Sequence, residues 1–374
     1  MKSPHFTPDG SLESLQLLLH NMLDRGNPDG IVILGCVEND IDEDCADQFF
    51  RRIEIPVAGG LFPALIHDQH VRETGWLVYA VQGQLSVSYR SNISQNTSNP
   101  GINRQALAVA VDTDADIRLV IVDGHSTSIS SYLTDVYSTS NVTSKFIGGG
   151  AGSLANATQR CIISNNGLAR DAAIVVQVAS EAGVGVSHGW RAASSVLRAT
   201  STSGSTVQEL NFRPALEVYS EIIESEFNTT IDPSDLIATA SMFPLGIRRI
   251  GGSTVVRDPI ASTDTGGLIC VGEFDENCFV YVLTSNMTEL LESTASATRQ
   301  ADADLIGQAE HKVVFDCISR FLLMKDQFDA ELTMLSSGGV SVTGVLSIGE
   351  IASSSDGFLE FYNKTTAIVA FPGD

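Results

Sequence analysis

The sequence predicts an α/β protein: duplicated β-α-β-β-β modules forming mixed, largely antiparallel sheets, helices on the outer faces, and two pseudo-symmetric halves. Three observations predict it. The order strand, helix, glycine-bearing strand, further strands returns three times and, more weakly, a fourth. Its strands are short apolar or alternating runs, and its helices carry apolar residues at 3.6-residue spacing. Glycines stand at corresponding places: Gly59 and Gly60 in the first copy, Gly148, Gly149 and Gly150 in the second, and Gly344, with Gly349 behind it, in the third.

Residues 1–29 form an N-terminal helical extension, in which Leu12, Leu15, Leu18, Leu19, Met22 and Leu23 share one stripe. GIVILGCV (30–37) reads as a buried strand. NDIDEDCADQFFRRI then reads as a helix, with acids in its first turn and arginines in its last. IPVAGGLFPALI follows as a strand broken by its glycines, and GWLVYAVQGQLSVSYR as two strands around a Gln-Gly turn. The second copy runs from RLVIVDG (118–124) through the helix SISSYLTDVYSTS to the glycine-broken KFIGGGAGS, then to a hairpin turning at Asn166-Gly167. The third runs from HKVVFDC (311–317) through the helix ISRFLLMKDQFDAELTMLSS to VSVTGVLSIGEIA and LEFYNKTTAIVAF. A weaker fourth links TVQELNF, the helix ALEVYSEIIESEF, VVRDPIAS and GGLICVGE.

Composition narrows the function. The 45 acidic against 22 basic residues give a net charge of −23, which argues against binding a phosphate backbone. No apolar run is long enough to span a membrane, and MKSPHFTPDG lacks the apolar core of a secretory signal, so a cytoplasmic location is expected. The six cysteines form no CxxC and keep no metal-ligand spacing with histidine. Buried free thiols are therefore expected, and neither a metal nor a cofactor.

GAGSLA (150–155) satisfies the G-x-G-x-x-[G/A] dinucleotide fingerprint, with Asp171 near the place of a ribose-binding acid. In such a site, however, the glycines open a long helix and the acid ends a strand. Here a short segment leads into a hairpin, and Asp171 precedes its strand. The repeat makes these glycines architectural, marking bulges or close backbone approach.

Several polar residues interrupt apolar strands. His188 and Trp190 sit in a glycine-flanked turn, GVSHGWR. Phe315, Asp316, Cys317 and Arg320 lie where a strand meets a helix, with the thiol at the helix start. Arg257, Glu350 and Asn363 are isolated in VVRDP, SIGEI and FYNKT. Singly each reads as a satisfied core group; together they outline a candidate site.

These stretches also carry a resemblance. FIGGGAGS, HGW, VQELNFRPALEVYSEII, VVRDP, VVFDCISR, VTGVLSIGEI and FYNKTTAIV, in this order across roughly residues 30–371, are similar to the FIST proteins. The chain departs from the family where Phe315-Asp316-Cys317 replaces Phe-Ser-Cys and Asn211-Phe212 replaces Asp-Gly; Leu346 and Ser347 stand where an aromatic and a threonine are common. The resemblance implies a FIST N-terminal region at 30–215, a C-terminal region at 216–374, and sensing of a small ligand, with amino acids favoured. It also implies a signalling protein as partner, since no output module is visible.

A pocket follows from side-chain chemistry. Arg257 or Arg320 would take a carboxylate, Glu350 or Asp316 an ammonium, Trp190 and Phe315 would form walls, and His188 and Asn363 would orient. The expected place is a cleft where the halves meet, near residues 205–235. Two alternatives stay open: a protein-interaction scaffold, and a Cys-dependent hydrolase or transferase using Cys317 and His188.

Overall fold

Gly30–Cys36 forms a strand, β1, in which every residue is buried, as a run apolar on both faces requires. Asp42 caps the helix that follows, α1 (Glu43–Arg51), accepting from the Cys45 N–H at 2.8 Å; acids fill its first turn and Arg51 its last. The chain returns as β2 (Val57–Phe62), parallel to β1. Then come β3 (Ala64–His67), β4 (His70–Arg72) and β5 (Trp76–Val81), which runs antiparallel beside β1. The computed structural model describes residues 4–83, 85–95, 116–141, 143–249, 251–353 and 358–373.

The path repeats. β6 (Asp116–Asp123), α2 (Ile129–Ser138) and β7 (Lys145–Ala151) form a second parallel unit, followed by β8 (Ile162–Ser164) and β9 (Ala172–Ala179), which lies antiparallel on β6. After β10 (Gly183–Ser187) the chain builds a nine-stranded antiparallel sheet, then the helix α3 (Met287–Asp304). β11 (Ala309–Cys317), α4 (Ile318–Met324), α5 (Phe328–Leu335) and β12 (Ser341–Ser347) form the third parallel unit. β13 (Glu350–Ser353) and β14 (Thr366–Pro372) complete it, with β14 antiparallel on β11.

The three units exchange a strand in a ring. β3 of the first joins β12 of the third, β8 of the second joins β2 of the first, and β13 of the third joins β7 of the second. Three six-stranded sheets result, packed around one apolar core. The void at their junction, about 10 Å³ and lined by side chains such as Val32, Leu119 and Phe315, is too small and too apolar to hold a ligand. The N-terminal half contributes two units and the C-terminal half the third; the antiparallel sheet takes strands from both, residues 191–214 from the first and 245–284 from the second.

The glycines occupy equivalent registers: Gly59 opposite Ile33, Gly148 opposite Val120, and Gly344 opposite Val314. A Cβ added at these positions would lie 1.9, 1.7 and 1.9 Å from the carbonyl oxygen of Ile33, Val120 and Val314 respectively. Only a residue without a side chain fits there. GAGSLA continues from β7 into turns and then β8, so no helix N-terminus faces its glycines.

Several expectations need correction. Residues 57–67 break at Pro63, not at the glycines, and the pieces enter different sheets. Trp76–Val81 and Leu85–Ser91 do not pair: the second lies on β9, where its alternating face finds a partner. The hairpin turn is Asn165-Asn166, with Gly167 already paired to Ser164. The helix after β11 divides at Lys325, whose φ is 49°. The fourth copy has no parallel pair; all its strands run antiparallel.

α3 stands outside the repeat because its inner face is made of Ser293, Thr294, Ala297, Thr298 and Ala301, which show little apolar periodicity. Small residues are needed there. β10 crosses so closely that a Cβ on Gly185 would lie 1.9 Å from the Ala297 carbonyl oxygen.

Candidate functional site

Most of the polar residues singled out from the sequence converge on the end of the third parallel unit. β11 delivers Asp316 and Cys317, and the first turn of α4 carries Arg320 back over Asp316, Nε to Oδ1 3.4 Å. α5 supplies Glu331, whose Oε1 lies 2.5 Å from Arg320 Nη2. Thr294 from α3 donates to the same oxygen at 2.6 Å, and Thr366 from β14 at 3.1 Å. Arg320 also donates to the carbonyls of His188 (3.1 Å) and Leu290 (3.2 Å). Glu350 is held by the Ser347 hydroxyl at 2.9 Å and the Thr365 N–H at 3.3 Å.

Asp316, Arg320, Glu331 and Glu350 are all fully buried. Burial first, and then the nearby Glu331, push the Asp316 carboxyl well above the usual range, against the pull of Arg320. Burial, reinforced by Asp316, does the same for Glu350. The Cys317 thiol is driven up by burial and then by Glu350. Loss of solvation, with the Arg320 charge, lowers His188 to about 4, leaving a neutral ring whose Nδ1 accepts from the Trp190 N–H. Asp316 Oδ2, Glu331 Oε2 and Asn363 Oδ1 have no hydrogen-bond partner among the described residues.

Trp190 and Asn363 lie alongside. Lys364, next to Asn363, places its ammonium 5.5 Å from the Trp190 ring centroid and 3.1 Å from Asp258. Two residues stand elsewhere. Phe315 faces the opposite side of its sheet from Asp316 and meets Phe62 edge-on in the central core, as strand alternation demands. Arg257 donates to the carbonyls of Glu273 (3.1 Å) and Phe361 (2.8 Å), tying three chain segments together.

This cluster is a closed lock. Arg320 already faces Glu331 and Asp316, so no ligand carboxylate is needed to balance it. Open polar space lies instead in a cleft of about 710 Å³ where the start of α2 in the N-terminal half faces residues 247–249, 273–275 and 358–361 of the C-terminal half. None of residues 205–235 lines it. Glu273 crosses the cleft to accept from the Ser130 N–H and, at 2.5 Å, from its hydroxyl. Arg249 bridges Asp275 (2.8 Å) and Glu360 (2.7 Å). Arg257 holds the backbone of two lining residues, Glu273 and Phe361, from below.

Sequence reasoning missed Glu331, Lys364, Asp258 and the cleft residues. Glu331 had a signal: it shares the buried face of α5 with Phe328, Leu332 and Leu335, and an acid on that face requires a partner. Among the described residues, no group of three or more His, Cys, Asp or Glu side chains could hold a metal ion, and no helix is long and apolar enough to cross a membrane.

Three interlocked mixed sheets and one antiparallel sheet, with helices packed on them, define a mixed α/β fold. A family model described as the FIST N domain matches residues 30–213, and one described as the FIST C domain matches residues 215–353. The chain belongs to the FIST family, whose domains are small-ligand sensory domains in signalling. Comparison with curated proteins finds no match.

Proposed function

We propose that this chain is a sensor that binds an amino acid or a related small carboxylate in the cleft between its halves and passes the signal to a partner protein. The observation that supports it is the composition of the cleft: Arg248 and Arg249 stand beside Glu273, Asp275 and Glu360, with Ile247, Phe274 and Phe358 as apolar wall. A zwitterion needs both signs of charge within one small space, and about 710 Å³ is within the range of small-molecule sites. Because both halves line the cleft, a ligand that favours one relative placement shifts the population toward it. The Cys-dependent alternative has less support, since the Cys317 thiol is held protonated beside Glu350 and His188 is engaged with Trp190.

Thermal unfolding against a panel of amino acids, small carboxylates and nucleotides tests the reading. A ligand at about a hundred times its Kd adds roughly 2.7 kcal/mol, which raises the midpoint by a few degrees. The expected result is a shift with amino acids that Arg248→Gln removes, since Arg249 is already balanced by Asp275 and Glu360. A panel without any shift leaves the interaction scaffold as the better account; a shift with nucleotides alone reopens the glycine fingerprint.

A further inference from the structure

The third sheet is finished differently at its two edges. At β10, side chains of α3 satisfy the outward backbone: the Val184 N–H donates to Asp304 Oδ2 at 2.9 Å and the Val186 N–H to Gln300 Oε1 at 3.2 Å. At the other end β4 pairs with β3, and no described strand lies beyond it. The β3–β4 loop is Asp68-Gln69, both at positive φ (51° and 58°). In a two-residue hairpin the flanking pair, His67 and His70, is the hydrogen-bonded one. The next pair, Ile66 and Val71, is therefore unbonded across the hairpin, and Val71 turns its N–H and C=O outward.

Along this edge runs a groove of about 570 Å³, bordered by Val71, Phe321, Leu322 and Phe328, with Asp326 and Asp329 among its polar residues. Leu322 is 52% exposed although it belongs to a short helix packed on the core. An open strand edge beside an apolar groove roofed by helices accommodates an extended segment, whose main chain bonds to the edge while alternate side chains enter the groove.

We propose that β4 and the α4–α5 groove bind an extended segment of a partner protein, carrying large apolar side chains at alternate positions flanked by Lys or Arg. The free edge calls for an extended backbone. Phe321, Leu322 and Phe328 select the apolar side chains. Asp326 and Asp329, with Asp68 at the hairpin tip (side chain 76% exposed), outweigh Lys325 and select basic flanks on a chain of net charge −23. The surface lies apart from the cleft and does not depend on how the cleft is read.

Fluorescence polarisation of the full chain with an array of short labelled peptides tests it, the array alternating Phe, Leu, Ile or Val with Thr, Lys or Arg. Binders are expected. N-methylation of a binder at alternate residues, which removes main-chain donors without touching the protein, should weaken it about tenfold or more. Leu322→Glu should weaken it comparably, and Asp326→Lys should reduce the preference for basic flanks. An array without binders overturns the proposal, as does equal affinity for the N-methylated peptide. Concentration-dependent dimerisation that Leu322→Glu abolishes would assign the edge to a second copy of the chain and overturn it too.

Discussion

Arg320 Nη2 lies 2.5 Å from Glu331 Oε1, and neither side chain reaches solvent. The pair fastens α4 to α5 and, through Thr294 and the His188 carbonyl, fastens both to α3 and to the turn before Trp190. Arg320→Ala would leave two buried carboxyls without their cation, a loss of about 3–5 kcal/mol. Urea denaturation measures it. Replacing both partners, Arg320→Met with Glu331→Leu, should recover most of the loss; a wild-type midpoint for Arg320→Ala would show that the lock carries no stability.

Gly148→Ala should destabilise by more than about 3 kcal/mol or prevent folding, because the new methyl would lie 1.7 Å from the Val120 carbonyl oxygen. Gly26→Ala is the control: its φ is −146° and the nearest atom to a new Cβ is 3.8 Å away. It should stay within about 0.5 kcal/mol of wild type. Equal tolerance at both positions contradicts the close-approach role of the strand glycines.

Phe212 sits at φ 65° in the two-residue turn between Leu210 and Arg213, and is 75% exposed. A left-handed conformation costs an L-residue roughly 1–2 kcal/mol, and glycine is free of that cost. Little burial is lost on removing the ring. Phe212→Gly should therefore raise stability by about 0.5–1 kcal/mol, read as a higher urea midpoint at unchanged slope. A lower midpoint would mean that the ring makes contacts the structure does not show.

Two opposing titrations shape stability against pH. His188 and His311 have folded pKa values of about 4, below the ordinary imidazole value of 6.5. Between those values the unfolded chain binds protons that the folded chain refuses, so stability is complete above about pH 6.5 and falls toward pH 4. Asp316 and Glu350 act in the other sense. Their folded values are raised, so their contribution is full below about pH 4 and is lost as pH rises through those values. Glu350→Gln should stabilise the protein at about pH 8 and lose that advantage as pH approaches about 4. An advantage constant across this window would place the effect in packing, not in ionisation.

Thiol titration separates the sensor from the hydrolase. Cys45 is the exposed cysteine, Cys278 is half-buried, and Cys36, Cys161, Cys270 and Cys317 are buried. A mild disulfide reagent should modify Cys45 first, and Cys45→Ser should remove the fast phase; rapid modification of Cys317 in the folded protein would restore it as a candidate nucleophile.

The chemistry at 316–320 was legible because Asp316, Cys317 and Arg320 are sequence neighbours. Glu331 was reachable only as an acid on an apolar helix face. The cleft was not legible: Ser130, Arg249, Glu273 and Glu360 come from four separate segments, and each is an ordinary polar residue in its own stretch of sequence. Phe315 and Asp316 show how one step along a strand separates neighbours, since successive side chains leave by opposite faces.

The sequence by itself determined the three repeats, their strand and helix order, the capping of α1 and the glycines at equivalent places. All of these are set by residues within a few positions of one another, through helical and strand periodicity, capping chemistry and the space a missing side chain leaves. Tertiary structure alone decided that β3, β8 and β13 leave their own units, that Trp76–Val81 and Leu85–Ser91 part company, and that the open cleft lies away from the buried lock. These outcomes depend on which apolar faces meet across the three-sheet core, a choice made among distant segments that no local window of sequence contains.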